Sequence, residues 1–365
     1  MVGAKRKAER TERRIKDLLE RIASELPSEP VNAKRHPWVP SDSPETILLV
    51  PAADYHLDEI VPLANELNKR DLATRIAVGD SPWQRTRPGM RWYPDLEVLE
   101  LPEPDTVAKE ISLVMTMKDT GSMTDWVTDV RSAGIPVIGK VEGAQDFWDA
   151  DTPEDRRPYR NLDLVLCQGQ FDADALSDRE TAIVGSSRLE RLWWAPPATP
   201  RTEPLALINL NFVYGVQTSD RKMWLKTVIE GCRQAGIPYV VSVHPAEKSK
   251  LEPHMTRISA SALLPHSSIL ISRFSTVPLE AMARGIPFIY HNPHGESVYT
   301  FKEAMGALNK TISAAELGNS LKTPNEPGGS VRLRARNFMQ RHVDMSETAT
   351  SEERTADAIL AKIET

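Results

Sequence analysis

Two stretches of the sequence put polar, chemically able side chains directly after apolar runs. His244-Pro245 follows Tyr239–Val243, and Ser275-Thr276 lies between the run Ile269–Ile271 and a helical pattern that carries Glu280 and stops at Gly285. An imidazole can donate a hydrogen bond to a phosphate oxygen or a ribose hydroxyl. Two hydroxyls and the unpaired N–H groups of a helix start suit an anion, although the same residues also serve as a plain helix cap. Glu280 either holds ribose hydroxyls or compensates the dipole of its own helix. Asn211, Arg188 and Arg273 are further candidates to hold the same ligand.

The matching position earlier in the chain is Lys140-Val141-Glu142-Gly143, directly after the run Pro136–Gly139. A carboxylate there can take a proton from an attacking hydroxyl. The glycine beside it leaves room for a substrate to come close. Asp54 and His56, at the end of the apolar run Thr46–Ala52, are the substitutes for Glu142 in that role.

Other chemistries lack their residues. No Gly-x-Gly-x-x-Gly, P-loop, Gly-x-Ser-x-Gly or zinc-spaced Cys/His set occurs. Two Asp-x-Asp triplets, Asp149-Ala150-Asp151 and Asp172-Ala173-Asp174, could hold a divalent ion, yet both read as acidic helix starts. No metal or cofactor is expected. Cys167 and Cys232 read as buried thiols of a reduced compartment. A formal net charge of −6 argues against bulk nucleic-acid binding.

The elements that must position these residues alternate. Strand patterns at Thr46–Ala52, Thr74–Val78, Leu96–Leu101, Ile111–Met115, Pro136–Gly139, Leu164–Cys167 and Ala182–Val184 have helical patterns between several of them. The rhythm restarts at Leu205–Leu210 and continues through Arg221–Ala235, Tyr239–Val243, Ile269–Ile271, Val277–Arg284 and Phe288–Tyr290. Ala195–Pro204, with four prolines, divides the two series. The expected fold is α/β, with two Rossmann-like domains facing a cleft and an N-terminal helix. Its parts are a basic helix and linker (1–45), a first Rossmann-like domain (46–194), a linker (195–204), a second Rossmann-like domain (205–345) and a C-terminal helix (346–365). Residues 27–45 carry five prolines and read as linker. Residues 4–26 have an apolar stripe and many basic residues, which suits a membrane surface, a homodimer contact or the protein's own body. The charged start lacks a signal peptide's apolar core, and no apolar run nears the ~18 residues of a membrane span. The expectation is a cytoplasmic protein, peripheral to the membrane at most.

The motifs carry a family resemblance. His244-Pro245, Ser275-Thr276 and Glu280-x-x-x-x-Gly285-x-Pro287 resemble the donor domain of GT-B glycosyltransferases, in the branch with a His-Pro motif and a later Ser-Ser or Ser-Thr motif. That branch includes bacterial sialyltransferases and Kdo transferases, which use CMP-sugars, and the CDP-glycerol glycerophosphotransferases of teichoic acid synthesis are similar. The sialyltransferases place their base in an acidic-acidic-Gly motif, which Val141-Glu142-Gly143 matches with valine for the first acid. A second likeness is to non-hydrolysing UDP-N-acetylglucosamine 2-epimerases, through Lys140–Arg157 with Pro153-Glu154-Asp155, Val184-Gly185 and Arg188-Leu189. The epimerases' Asp-Ser-Gly-Gly-x-x-x-Glu-Glu is replaced here by Arg273–Glu280.

The first resemblance implies a metal-independent glycosyltransferase of glycan or cell-surface polysaccharide synthesis, which takes a nucleotide-activated sugar in a donor domain (205–345) and an acceptor glycan or other hydroxyl compound on an acceptor-side domain (46–194). The alternatives are a UDP-sugar 2-epimerase, a CDP-polyol phosphotransferase and a binding subunit with an idle cleft.

Overall fold

The computed structural model describes residues 2–25, 35–39, 46–79, 96–117, 119, 123–144, 159–199, 204–212, 218–244, 247, 250–322 and 327–364. Helix α1 (Val2–Glu25) and a short strand β1 (Arg35–His36) precede the first alternation. That alternation runs β2 (Thr46–Val50), α2 (Leu57–Lys69), β3 (Ala73–Val78), β4 (Val98–Glu100), α3 (Pro104–Glu110), β5 (Ile111–Thr116), α4 (Met123–Ser132), β6 (Val137–Lys140), β7 (Leu164–Cys167), α5 (Gln170–Ala175), β8 (Thr181–Ile183) and α6 (Ser187–Trp194). The second comprises β9 (Ala206–Leu210), α7 (Arg221–Ala235), β10 (Tyr239–Val243), β11 (Met255–Thr256), α8 (Ala260–Leu263), β12 (Ile269–Ser272), α9 (Val277–Ala283), β13 (Phe288–His291), β14 (Asn309–Thr311) and α10 (Ala314–Lys322). Two helices close the chain, α11 (Gly329–His342) and α12 (Ser351–Ile363).

Two wholly parallel sheets result, ordered β1-β4-β3-β2-β5-β6-β7-β8 and β11-β10-β9-β12-β13-β14. The central strands are mostly apolar and buried on both faces, as the parallel arrangement requires, with Thr46, Lys140, Asn209 and Ser272 the buried polar exceptions. The strand order reverses between β2 and β5 in one sheet and between β9 and β12 in the other. Ligands of open α/β sheets bind beyond the carboxyl ends of strands at such points.

Several sequence expectations change. Residues 27–45 are not linker throughout, because Arg35–His36 pairs in parallel with β4 as an edge strand. Trp38 anchors it: its indole donates to Glu110 at 3.0 Å, and the Arg75 guanidinium lies 5.0 Å from its ring. The apolar stripe of α1 is turned inward. Ile15 and Ile22 are buried in the core of the second sheet, with Leu18 and Leu19 packed beside them. That stripe is therefore covered by the protein's own body. Among the described residues no helix is long and apolar enough to cross a membrane.

The last helix does not stay with the second sheet. Ala356 and Ile359 of α12 join the core formed by β2, β5 and α2. A buried ion pair lies under this contact, with Lys140 Nζ 3.1 Å from Glu59 Oε2 and both side chains at most 6% exposed. Lys140 also donates to the Ser351 and Thr355 hydroxyls of α12, at 3.2 and 3.4 Å. Glu59 accepts from the Ser186 hydroxyl (2.5 Å) and from the backbone N–H groups of Ser187 (3.0 Å) and Arg188 (3.1 Å), so it caps α6 from a different helix. Burial pushes the Glu59 carboxyl up, but Lys140 and these donors outweigh it and bring it down to about 2.

Substituting Lys140→Met should strand this carboxylate and destabilise the protein by about 3–5 kcal/mol near pH 7. The depressed carboxyl contributes stability fully above its ordinary value of 4.5, and that contribution is lost as pH falls towards about 2. The gap between wild type and variant should therefore be widest near neutral pH and narrow on acidification. Urea unfolding at about pH 7 and about pH 4 measures it, and a gap that ignores pH would place the stabilisation elsewhere.

Candidate active site

The loops after β2 and β6 meet at the carboxyl edge of the first sheet. His56 closes a short turn after β2 and is 1% exposed, and its Nε2 lies 2.8 Å from Glu142 Oε2. The Ala52 backbone N–H donates to His56 Nδ1 at 3.0 Å. Nδ1 is therefore the acceptor, Nε2 carries the proton, and the imidazole donates to the carboxylate. The Tyr55 hydroxyl donates to the same oxygen at 3.3 Å. The Glu142 side chain is 28% exposed, so it is oriented from beneath and still reaches solvent. Its base role and that of His56 were alternatives in the sequence; the fold makes the two residues one hydrogen-bonded pair. Asp54 begins the same turn, and its side chain lies outside the described residues.

The second sheet brings its own loops to this edge. Ser275 and Thr276 lead into α9, whose second position is Pro278. The Ser275 hydroxyl accepts from the Val277 N–H at 3.3 Å, while Thr276, at the N-cap position itself, makes no side-chain capping bond. Thr276 reaches across instead: its hydroxyl accepts from the Ala144 N–H at 3.1 Å, two residues past Glu142. The space beside Gly143 is filled by this threonine, because a Cβ on Gly143 would stand 2.4 Å from Thr276 Oγ1. The glycine thus admits the opposite half of the molecule, where the sequence suggested a substrate. His244 follows β10 at the same end of the sheet and is half-buried, while Pro245 lies outside the described residues.

Three charged candidates have charged partners within the protein. Glu280 is 3% exposed and pairs with Arg188 across the two halves at 3.2 Å. These two candidates for ribose and phosphate contacts thus form an ion pair with each other. Arg273 is also 3% exposed. Its guanidinium pairs with Glu296 at 2.5 Å, donates to the Asn211 carbonyl at 3.1 Å, and lies 4.4 Å from the Phe212 ring. A buried guanidinium needs such a partner, and Glu296 neutralises it. Burial pushes the Glu296 carboxyl up, but His294, Arg273 and Tyr290 together hold it down to about 2. The Asn211 side chain donates to the Phe274 carbonyl at 3.2 Å and so ties the loops after β9 and β12 together.

Asp172 acts as a helix-start acid, accepting from the Gln168 N–H at 2.9 Å. Burial raises its carboxyl to about 7 against the pull of the Gln168 and Gly169 amides. Asp149, Asp151 and Pro153-Glu154-Asp155 lie outside the described residues. Among the described residues no group of three or more His, Cys, Asp or Glu side chains could hold a metal ion. Glu59, Tyr55, Tyr159 and Glu296 were missed in the sequence, since nothing local marks a polar residue whose partners lie far along the chain.

No protein-family model matches the sequence, and no curated protein matches it. Solved structures do resemble it. The wall teichoic acid polymerase TagF, in a variant soaked with CDPG, aligns with a TM-score of 0.57 at 13% identity over 88% of this chain and 89% of that one. S. aureus MnaA with UDP aligns at 0.58, with 10% identity over 88% and 97%. The UDP-GlcNAc 2-epimerase of Methanocaldococcus jannaschii, in complex with UDP-GlcNAc and UDP, aligns at 0.53, with 11% identity over 87% and 99%. These likenesses show the fold: the chain is a two-domain α/β protein of the GT-B type, with an N-terminal helix.

Proposed function

We propose that this chain is a metal-independent glycosyltransferase that moves a sugar from a nucleotide-activated donor to an acceptor hydroxyl, in the synthesis of glycans or cell-surface polysaccharides. The observation that carries this reading is the Glu142 carboxylate. A neutral imidazole in a fixed tautomer holds it at the carboxyl edge of one sheet, in a loop that touches the helix start of the other.

In this mechanism the acceptor hydroxyl gives its proton to Glu142 as its oxygen bonds to the sugar carbon. The His56 N–H and the Tyr55 hydroxyl keep the carboxylate aimed while this happens. The bond from sugar carbon to phosphate oxygen breaks, and the leaving nucleotide gains negative charge. His244, the Ser275 hydroxyl and the amides at the start of α9 lie at the sheet end where that charge would develop, and fixed donors there lower the barrier. The CDPG, UDP and UDP-GlcNAc held by the structural neighbours support a nucleotide-linked substrate.

The likeness to TagF favours a second reading, in which the same base serves transfer of a polyol phosphate from a CDP-linked donor. An epimerase would instead convert its nucleotide sugar with no acceptor present. A thermal-shift panel of CMP, CDP, UDP and their sugar and glycerol conjugates finds the nucleotide, because a ligand at 100 times its Kd stabilises by about 2.7 kcal/mol. Product analysis with and without acceptor then separates the three reactions.

Two variants test the assignments. His244→Ala should weaken nucleotide binding by about 1.5–3 kcal/mol, the worth of a charge-assisted hydrogen bond, with the melting temperature kept. Unchanged affinity by calorimetry removes His244 from the site. Glu142→Gln should bind nucleotide normally and transfer about 10²–10⁴-fold more slowly. A loss below about tenfold moves the base elsewhere.

A further inference from the structure

Glu142 is held from a second side that the proton-transfer scheme does not use. Its backbone N–H, just past the end of β6, donates to the Tyr159 hydroxyl at 3.1 Å. Tyr159 is 1% exposed, and its backbone sits in the left-handed region at φ 69°. A bulky residue stays there only when its surroundings hold it. Here the holder is Asp119, 3% exposed, whose two carboxylate oxygens accept the N–H groups of Tyr159 (2.5 Å) and Asn161 (3.2 Å). Strand β6 makes room for the turn. A Cβ on Gly139 would stand 2.1 Å from Leu162 Cδ1 and 3.2 Å from Tyr159 Cδ1.

Three distant segments therefore spend a buried carboxylate, a disfavoured backbone conformation and a strand glycine on one phenol. Packing alone does not require this, since phenylalanine would fill the same space. What the oxygen adds is an acceptor for the Glu142 N–H. Burial first, and the Glu142 carboxylate second, push the phenol well above the usual tyrosine range, so it stays a neutral acceptor.

We infer that Tyr159, braced by Asp119, is a positioning residue that fixes the backbone of Glu142 and so aims its carboxylate at His56 and the cleft. This rests on the reading of Glu142 as the base. Anchoring the amide on one side and one carboxylate oxygen on the other leaves the side chain a single direction.

The test uses the full chain labelled with ¹⁵N at glutamate and histidine. In wild type the Glu142 amide should exchange with solvent at least about tenfold more slowly than an open loop amide, although it lies outside the strand. Exchange at the open rate overturns the inference without any variant. In Tyr159→Phe, loss of one hydrogen bond should speed that exchange up to about tenfold and shift or broaden the His56 Nε2–H signal. Transfer per nucleotide-binding site should fall by about the same factor, with nucleotide Kd within about twofold. A merely structural role would lower the melting temperature and the number of binding sites, and leave the His56 signal of the folded molecules in place. If Tyr159→Phe does not fold, Asp119→Asn is measured by the same three signals. An unmoved Glu142 amide and His56 signal in a folded variant overturn the inference even if Glu142→Gln is inactive. Full activity of Glu142→Gln sinks the base assignment instead, whatever Tyr159→Phe does to the loop.

Discussion

A lysine ammonium and a glutamate carboxylate buried together beneath α12 set the terms for the rest of the molecule. Stripping water from two such ions costs several kcal/mol each, and their attraction offsets this only when every remaining donor and acceptor finds a partner. Lys140 finds the two hydroxyls of α12, and Glu59 finds the hydroxyl and two amides at the start of α6. One pair thus joins β6, α2, α6 and α12. The last helix can satisfy it only by returning to the first sheet after the chain has built the second. Glu190 strengthens the return by accepting the Ser351 N–H at 2.8 Å and pairing with Arg354.

The same pair reaches into the cleft through α6. The Arg188 backbone N–H ends on Glu59, and its side chain ends on Glu280 of α9. Burial pulls the Arg188 guanidinium down, while Glu280 and Glu59 outweigh it and keep the charge in place. A line of alternating buried charges therefore runs from Lys140 to Glu280 and crosses from one half to the other. Thr276 and Ala144 make a second, neutral crossing beside it. Glu142 lies two residues beyond Lys140 on the strand side and two before Ala144 on the cleft side. Its loop is fixed at both ends by contacts that also hold the halves together.

The alternation of apolar runs with helical patterns made both sheets legible, because a parallel strand buried on both faces must be mostly apolar. The carboxyl-end loops could be named for the same reason. The partners of charged side chains could not be read. Arg273 and Glu280 are polar residues beside a strand end, and such residues look alike whether they meet a ligand or a buried counter-ion. His56 and Glu142 stand 86 positions apart, and Glu59 and Ser351 lie in different quarters of the chain, so only the fold joins them. The strand at Arg35–His36 was hidden by its prolines, and the anchor at Trp38 is a tertiary contact that no local pattern announces.

The buried counter-ions also constrain how an anion could be received in the second half. Arg273 is neutralised by Glu296 and Arg188 by Glu280, so these two guanidinium groups add little net positive field. Under the proposed function, a nucleotide phosphate there would be met mainly by dipoles: backbone amides at the start of α9, the Ser275 hydroxyl and the His244 imidazole. Dipoles are short-ranged, so they discriminate by position more than by charge, and a phosphate must arrive within hydrogen-bond reach to gain from them. The contacts of Thr276 with Ala144 and of Arg188 with Glu280 join α9 to the first half at two points, one of them two residues from Glu142.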